Sequence, residues 1–123
     1  MRGKSAIMAT YDPHKSSART ETIVDWCRTE GLSADDDIRI VPGVANAVQE
    51  VLRENDVDTI AQLLGMFLMG ITGEASTQEV CQAFYARLKE MIAGTRAKTA
   101  NMHVVTFSVA NFAAEKKLFV YDL

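Results

Sequence analysis

The stretch PGVANAVQEVLRENDVDTIAQLLGMFL, Pro42 to Leu68, decides the fold of this chain. Val44, Ala47, Val48, Val51 and Leu52 recur at intervals of three and four, which places them on one helical face, while Asn46, Gln49, Glu50 and Arg53 fall on the other. Ile60, Leu63, Leu64, Phe67 and Leu68 repeat the pattern, with Asp58 at the expected N-cap position and a polar break from Glu54 to Asp58 between the two segments. The stretch therefore predicts two amphipathic helices joined by a turn. The entry is an apolar pair, Ile40-Val41, followed by Pro42 and Gly43 at the start of a helix. A glycine there permits close approach of a phosphate backbone to bare N–H groups, and the helix N-terminus that follows favours negative charge. Such an element reads backbone and not base sequence. The plainer alternative is a tight Pro-Gly turn between two core helices.

Outward from this pair the chain reads as helical throughout. The segment TETIVDWCRTEGL carries Ile23, Trp26 and Cys27 on one face and Gly31 as a stop, predicting a first helix over about Glu21 to Glu30 with Trp26 as a core anchor. Ser76 followed by Glu79 is a capping box that starts a helix at Thr77, with Val80, Phe84, Leu88, Met91 and Ile92 as its apolar stripe up to Gly94. A last helix is expected from Thr99 to about Lys117, with Met102, Val105, Val109 and Phe112 at core spacing and His103 one position off that stripe, at the boundary or surface. The terminal LFVYDL is strongly apolar and either folds back on the core or joins a subunit interface.

At 123 residues and 48% hydrophobic, the chain is long enough for one domain with a single core. With two Pro, seven Gly and little strand-like alternation, the expected class is all-α. The formal net charge of −3 excludes a protein whose entire surface binds polyanions, so that any nucleic-acid site has to be local. Residues 1–19 hold Arg2, Lys4, Lys15 and Arg19 against Asp12, which predicts a flexible basic tail ahead of a helical domain at 20–123; Ser16, Ser17 and Thr20 are candidate phosphorylation sites there. Ser33 to Asp37, SADDD, reads as a solvated acidic linker without the spacing of a metal loop. Cys27 and Cys81 fall on apolar faces, as buried reduced thiols do. No apolar run approaches the roughly 20 residues needed to span a bilayer, and no secretory h-region opens the chain. Nucleophile-elbow, nucleotide-loop and zinc-helix motifs are missing, which argues against an enzyme and implies neither cofactor nor metal.

Gly43, Leu52, Glu54, Asp58, Leu64-Gly65 and Phe67-Leu68 fall in the order and spacing of the barrier-to-autointegration factor family, and the chain resembles a divergent member of it over residues 38 to about 118. Gly94, Ala97 and Lys98 match the Gly-x-x-Ala-Lys turn that joins the family's last two helices. The resemblance implies a compact, SAM-like five-helix domain with a helix-hairpin-helix element. It further implies a nonenzymatic homodimer that binds and bridges double-stranded DNA, located in nucleus and cytoplasm, with LEM-domain proteins of the nuclear envelope as partners. Gly43, Ala45, Ala47 and Val48 would form one grip on the DNA backbone, and Ala97 and Lys98 the other. The chain departs from the family at Ala45, where the hairpin has a second glycine, and in the length of the loop GITGEAS at 70–76. Ala45, the acidic linker and the charge of −3 motivate the alternative, a dimeric protein-interaction module on the same fold that has lost DNA binding.

Overall fold

The computed structural model describes residues 11–16 and 19–121, and among them the secondary structure is helical, without a strand. Five α-helices follow one another: α1 Thr20–Cys27, α2 Asn46–Glu54, α3 Ile60–Leu68, α4 Thr77–Ile92 and α5 Thr99–Glu115. Two short 3-10 turns, Pro13–Lys15 and Ile38–Ile40, precede α1 and α2. The expected all-α class with five helices is what the chain adopts.

The central element is α5. Residues 102–110, 112 and 113 are all buried, because α1, α3, α4 and the Pro13–Lys15 turn pack around it. No charged side chain occurs between Thr99 and Ala114, and a helix that can be enclosed on every side has to lack charge in this way. The apolar positions close into one core: Phe67 meets Phe84 edge-on at 5.4 Å, Trp26 leans on Phe112 at 5.8 Å, and Cys27 and Cys81 are buried free thiols. Burial pushes the Cys81 thiol up to about 12 and, with help from the nearby Glu115 carboxylate, that of Cys27 to about 11, so neither is a ready nucleophile.

Helix boundaries differ from the sequence pattern where local hydrogen bonds intervene. α1 ends at Cys27 and not near Glu30, because Thr29 N–H to Trp26 O and Leu32 N–H to Thr29 O turn the chain towards Gly31 at φ +86°. The cap of α3 is Thr59 and not Asp58: the Thr59 hydroxyl accepts from the Gln62 N–H while the Gln62 side chain accepts from the Thr59 N–H. Asp58 instead sits 3.6 Å from Arg53 and gives its carbonyl to the Ile38 N–H. The capping box of Ser76 and Glu79 starts α4 at Thr77 as expected. α5 stops at Glu115, two residues before the expected end, in a Schellman turn: Leu118 N–H reaches Ala113 O, Lys117 N–H reaches Ala114 O, and Lys117 is left-handed at φ +62°. A lysine is strained there, so Lys117→Gly is expected to raise stability by about 1 kcal/mol, read as a higher urea midpoint.

Both ends of the described chain are folded onto this core. Phe119 meets Phe67 edge-on at 5.0 Å, Tyr121 meets Phe107 at 5.8 Å, and the Thr77 hydroxyl donates to Val120 O, so the C-terminal segment folds back. The expected flexible tail at 1–19 needs correction for Tyr11 to Ser16. Tyr11 is 2% exposed, its N–H donates to Gln82 Oε1 at 2.6 Å, and its hydroxyl lies 3.2 Å from that of Tyr121. An aromatic ring of that size has more to gain from the core than the backbone entropy of a free tail can offset. The domain therefore begins before Thr20. Arg2, Lys4 and Ser17 lie outside the described residues.

Candidate nucleic-acid interface

Two corners were singled out by sequence, Pro42 to Val48 and Gly94 to Lys98, and the fold brings them together. The first turns because Val44 N–H bonds Val41 O while Gly43 takes φ +94°. A methyl group placed on Gly43 would lie 2.9 Å from Val105 Cγ2, 3.0 Å from Asn101 O and 3.0 Å from Val104 Cβ. The first corner thus rests on the opening turns of α5, the helix that the second corner introduces. Arg96 closes the contact from the other side, 3.6 Å from Glu50 on α2. A cleft of about 260 Å³ lies between them, lined by Ala47, Glu50, Val51, Glu54, Thr95 and Arg96.

Each candidate residue has a distinct place. Gly43 is half-buried and its Cα faces α5, so its conformational freedom serves close packing and not the approach of a ligand to that carbon. Ala45 is exposed as the residue preceding α2, Ala47 is half-buried on the cleft, and Val48 is buried in the core. Lys98 is exposed as the residue preceding α5. Ala97 is half-buried, and its N–H donates to the Thr95 hydroxyl at 3.2 Å, which in turn donates to Ile92 O at 2.6 Å. That amide is occupied within the loop. Gly94, at φ +78° and with open space around it, is the exposed glycine of the pair.

The helix starts differ: α1 begins at Arg19 without a side-chain cap but with Glu21 in its first turn. α3 and α4 each begin in a complete capping box. α2 and α5 begin at Ala45 and Lys98 with no side-chain cap and no acidic residue in the first turn. Uncapped first-turn amides and the positive end of the helix dipole together favour an anion. These are the two helices whose starts adjoin.

The acidic linker is held at the start of α3 and the last turn of α2. Ile60 N–H bonds Asp36 O and Ala61 N–H bonds Ala34 O, which lays Ser33 to Asp37 over the start of α3. Arg53, in the last turn of α2, pairs with the Asp37 carboxylate. That end is roughly 13 Å along the helix from Ala45. The Arg39 N–H, and then Arg53, hold the Asp37 carboxyl below its ordinary range. Glu50, which the sequence pattern turned to water, and Glu54, read as the start of the polar break, are the acids that border the corners.

His103 is the residue whose placement the periodicity missed. It is 5% exposed, with Tyr85 stacked on its ring at a centroid distance of 4.6 Å. The uncharged run around it was the available signal. Among the described residues no group of His, Cys, Asp and Glu could hold a metal ion, and no helix is long and apolar enough to cross a membrane. No family model matches the chain, and no curated protein or solved structure matches it.

Proposed function

We propose that this chain is a divergent relative of barrier-to-autointegration factor that binds double-stranded DNA through its phosphate backbone, without sequence preference, and as a homodimer bridges two duplexes. The single observation that supports this most is the adjacency of two uncapped helix starts, Ala45 before α2 and Lys98 before α5, with Arg96 beside them. Backbone amides of Ala45 and Ala47, the exposed Lys98 and, once Glu50 is displaced, Arg96 would meet consecutive phosphates. The first corner, α2 and α3 would serve as the helix-hairpin-helix element. On the same reading LEM-domain proteins are the protein partners, and nucleus and cytoplasm the location.

A titration of a random-sequence duplex, followed by fluorescence anisotropy at low salt, tests the reading. Lys98→Glu is expected to weaken binding on all sequences alike and to flatten the salt dependence by about one phosphate contact. Selective loss on some sequences would contradict backbone readout, and a strict monomer in sedimentation would remove bridging.

The second reading is a dimeric interaction module without DNA binding. It is favoured by the Glu50–Arg96 pair, by the internal bond of the Ala97 amide and by the charge of −3. Affinity weaker than about 10⁻⁴ M at low salt, the loose end of nonspecific binding, would decide for it.

A further inference from the structure

His103 sits where the N-terminal segment meets the core, and both of its ring nitrogens are engaged. Nδ1 accepts from the Asp12 N–H at 3.2 Å, and Nε2 is 3.2 Å from the Tyr85 hydroxyl. A backbone amide can only donate, so Nδ1 carries no proton; a neutral ring then has its hydrogen on Nε2, which donates to the Tyr85 oxygen. The ring lies against Tyr85 on one side, and the Tyr11 ring is stacked at 6.1 Å. One imidazole thus joins α5 to α4 and to residues 11–15.

We propose that His103 is a proton-operated latch: neutral, it holds the Tyr11–Lys15 segment against α4 and α5, and on taking a proton at Nδ1 it releases that segment. A proton on Nδ1 would point a second donor at the Asp12 N–H, converting a hydrogen bond into a donor–donor clash inside the core. The Asp12 Oδ1 accepts from the His14 N–H at 2.9 Å, as the cap of the Pro13–Lys15 turn. The surrounding charges are mixed. From the N-terminal segment Asp12 favours the cation and Lys15 opposes it; from α4 Lys89, 5.8 Å above the Tyr85 ring, also opposes it; α5 itself has no charge nearby. Tyr11, Tyr85 and the more distant Tyr121 stay neutral throughout the acid range, as burial raises all three hydroxyls.

Burial, and after it Lys15, holds the His103 ring below its ordinary value. The sign follows from that. A depressed group stabilises the docked form fully above the ordinary imidazole value of about 6.5, and the contribution is lost as pH falls through the lowered value. With one proton involved, the docked-to-undocked ratio falls about tenfold per pH unit between those two values and levels off below the lower one.

Nuclear magnetic resonance on the full chain, from about pH 8 to about pH 5, spans the transition. His103 ring signals and the amides of Tyr11 to Ser16 are expected to change with one shared midpoint below about 6.5, and those amides to lose their heteronuclear NOE while Trp26 keeps its native environment. Titration of the ring with the amides unmoved overturns the proposal. Asp12→Asn retains the backbone donor and a side-chain oxygen; the transition survives in it if the imidazole is the trigger and vanishes if the carboxyl is, the second result again overturning the proposal. His103→Asn sets a non-ionisable acceptor near the Nδ1 position and is expected to abolish the transition. If that variant does not fold, the wild-type and Asp12→Asn titrations still decide the matter.

Discussion

Gly43→Ala is expected to destabilise the fold by about 3 kcal/mol, the sum of left-handed backbone strain and overpacking. The new methyl would meet Asn101 O and the Val104 and Val105 side chains at 2.9–3.0 Å, and the first of these is helix backbone that cannot swing aside. Gly94→Ala is the matched control. Gly94 has a similar φ of +78° but nothing within 4 Å of the added carbon, so only the backbone term of about 1 kcal/mol remains. Urea midpoints at unchanged slope give both numbers. Equal losses would mean that the first corner is not seated on α5, and with it the side-by-side placement of the two corners would fail. The comparison also cautions against reading a DNA-binding defect of Gly43→Ala as a lost phosphate contact.

Tyr11→Ala is expected to cost about 3 kcal/mol, near the lower end for truncation of a large buried aromatic. The cost cannot exceed what docking of the whole N-terminal segment contributes, because the segment can detach and leave the helices folded. Three ties are lost or weakened together: the ring against Tyr85 at 6.1 Å, the hydroxyl contact to Tyr121 and the burial itself. Tyr11→Phe removes only the hydroxyl and is expected to cost about 1 kcal/mol. Thermal melts of the two variants measure the difference. An unchanged melting temperature for Tyr11→Ala would return residues 11–16 to the status of a free tail.

Much of the helical frame was legible in the residues. The three-and-four spacing from Val44 to Leu68 and the Ser76–Glu79 box are local signals, carried within a turn or two, and they mark α2, α3 and α4 with small errors at the ends. Those errors came from side chains competing for the same amides, as Thr59 does with Asp58. The candidate interface was legible only in part. That Gly43 and Gly94 punctuate the chain is written in their residue type, yet that one is covered and the other open is not. Glu50 looked like any solvated acid of an amphipathic helix until Arg96 was brought to it from 46 positions away.

What the amino-acid order determined alone is the set of helices, because hydrophobic period, caps and glycine stops act over a few residues. Only tertiary packing decided which helix became the enclosed one, that Tyr11 and His103 are core residues, and that two glycine corners far apart in the chain pack beside one another. Each of those depends on contacts between distant segments, whose stabilisation comes from burying whole faces against one another, and no local pattern encodes which face meets which.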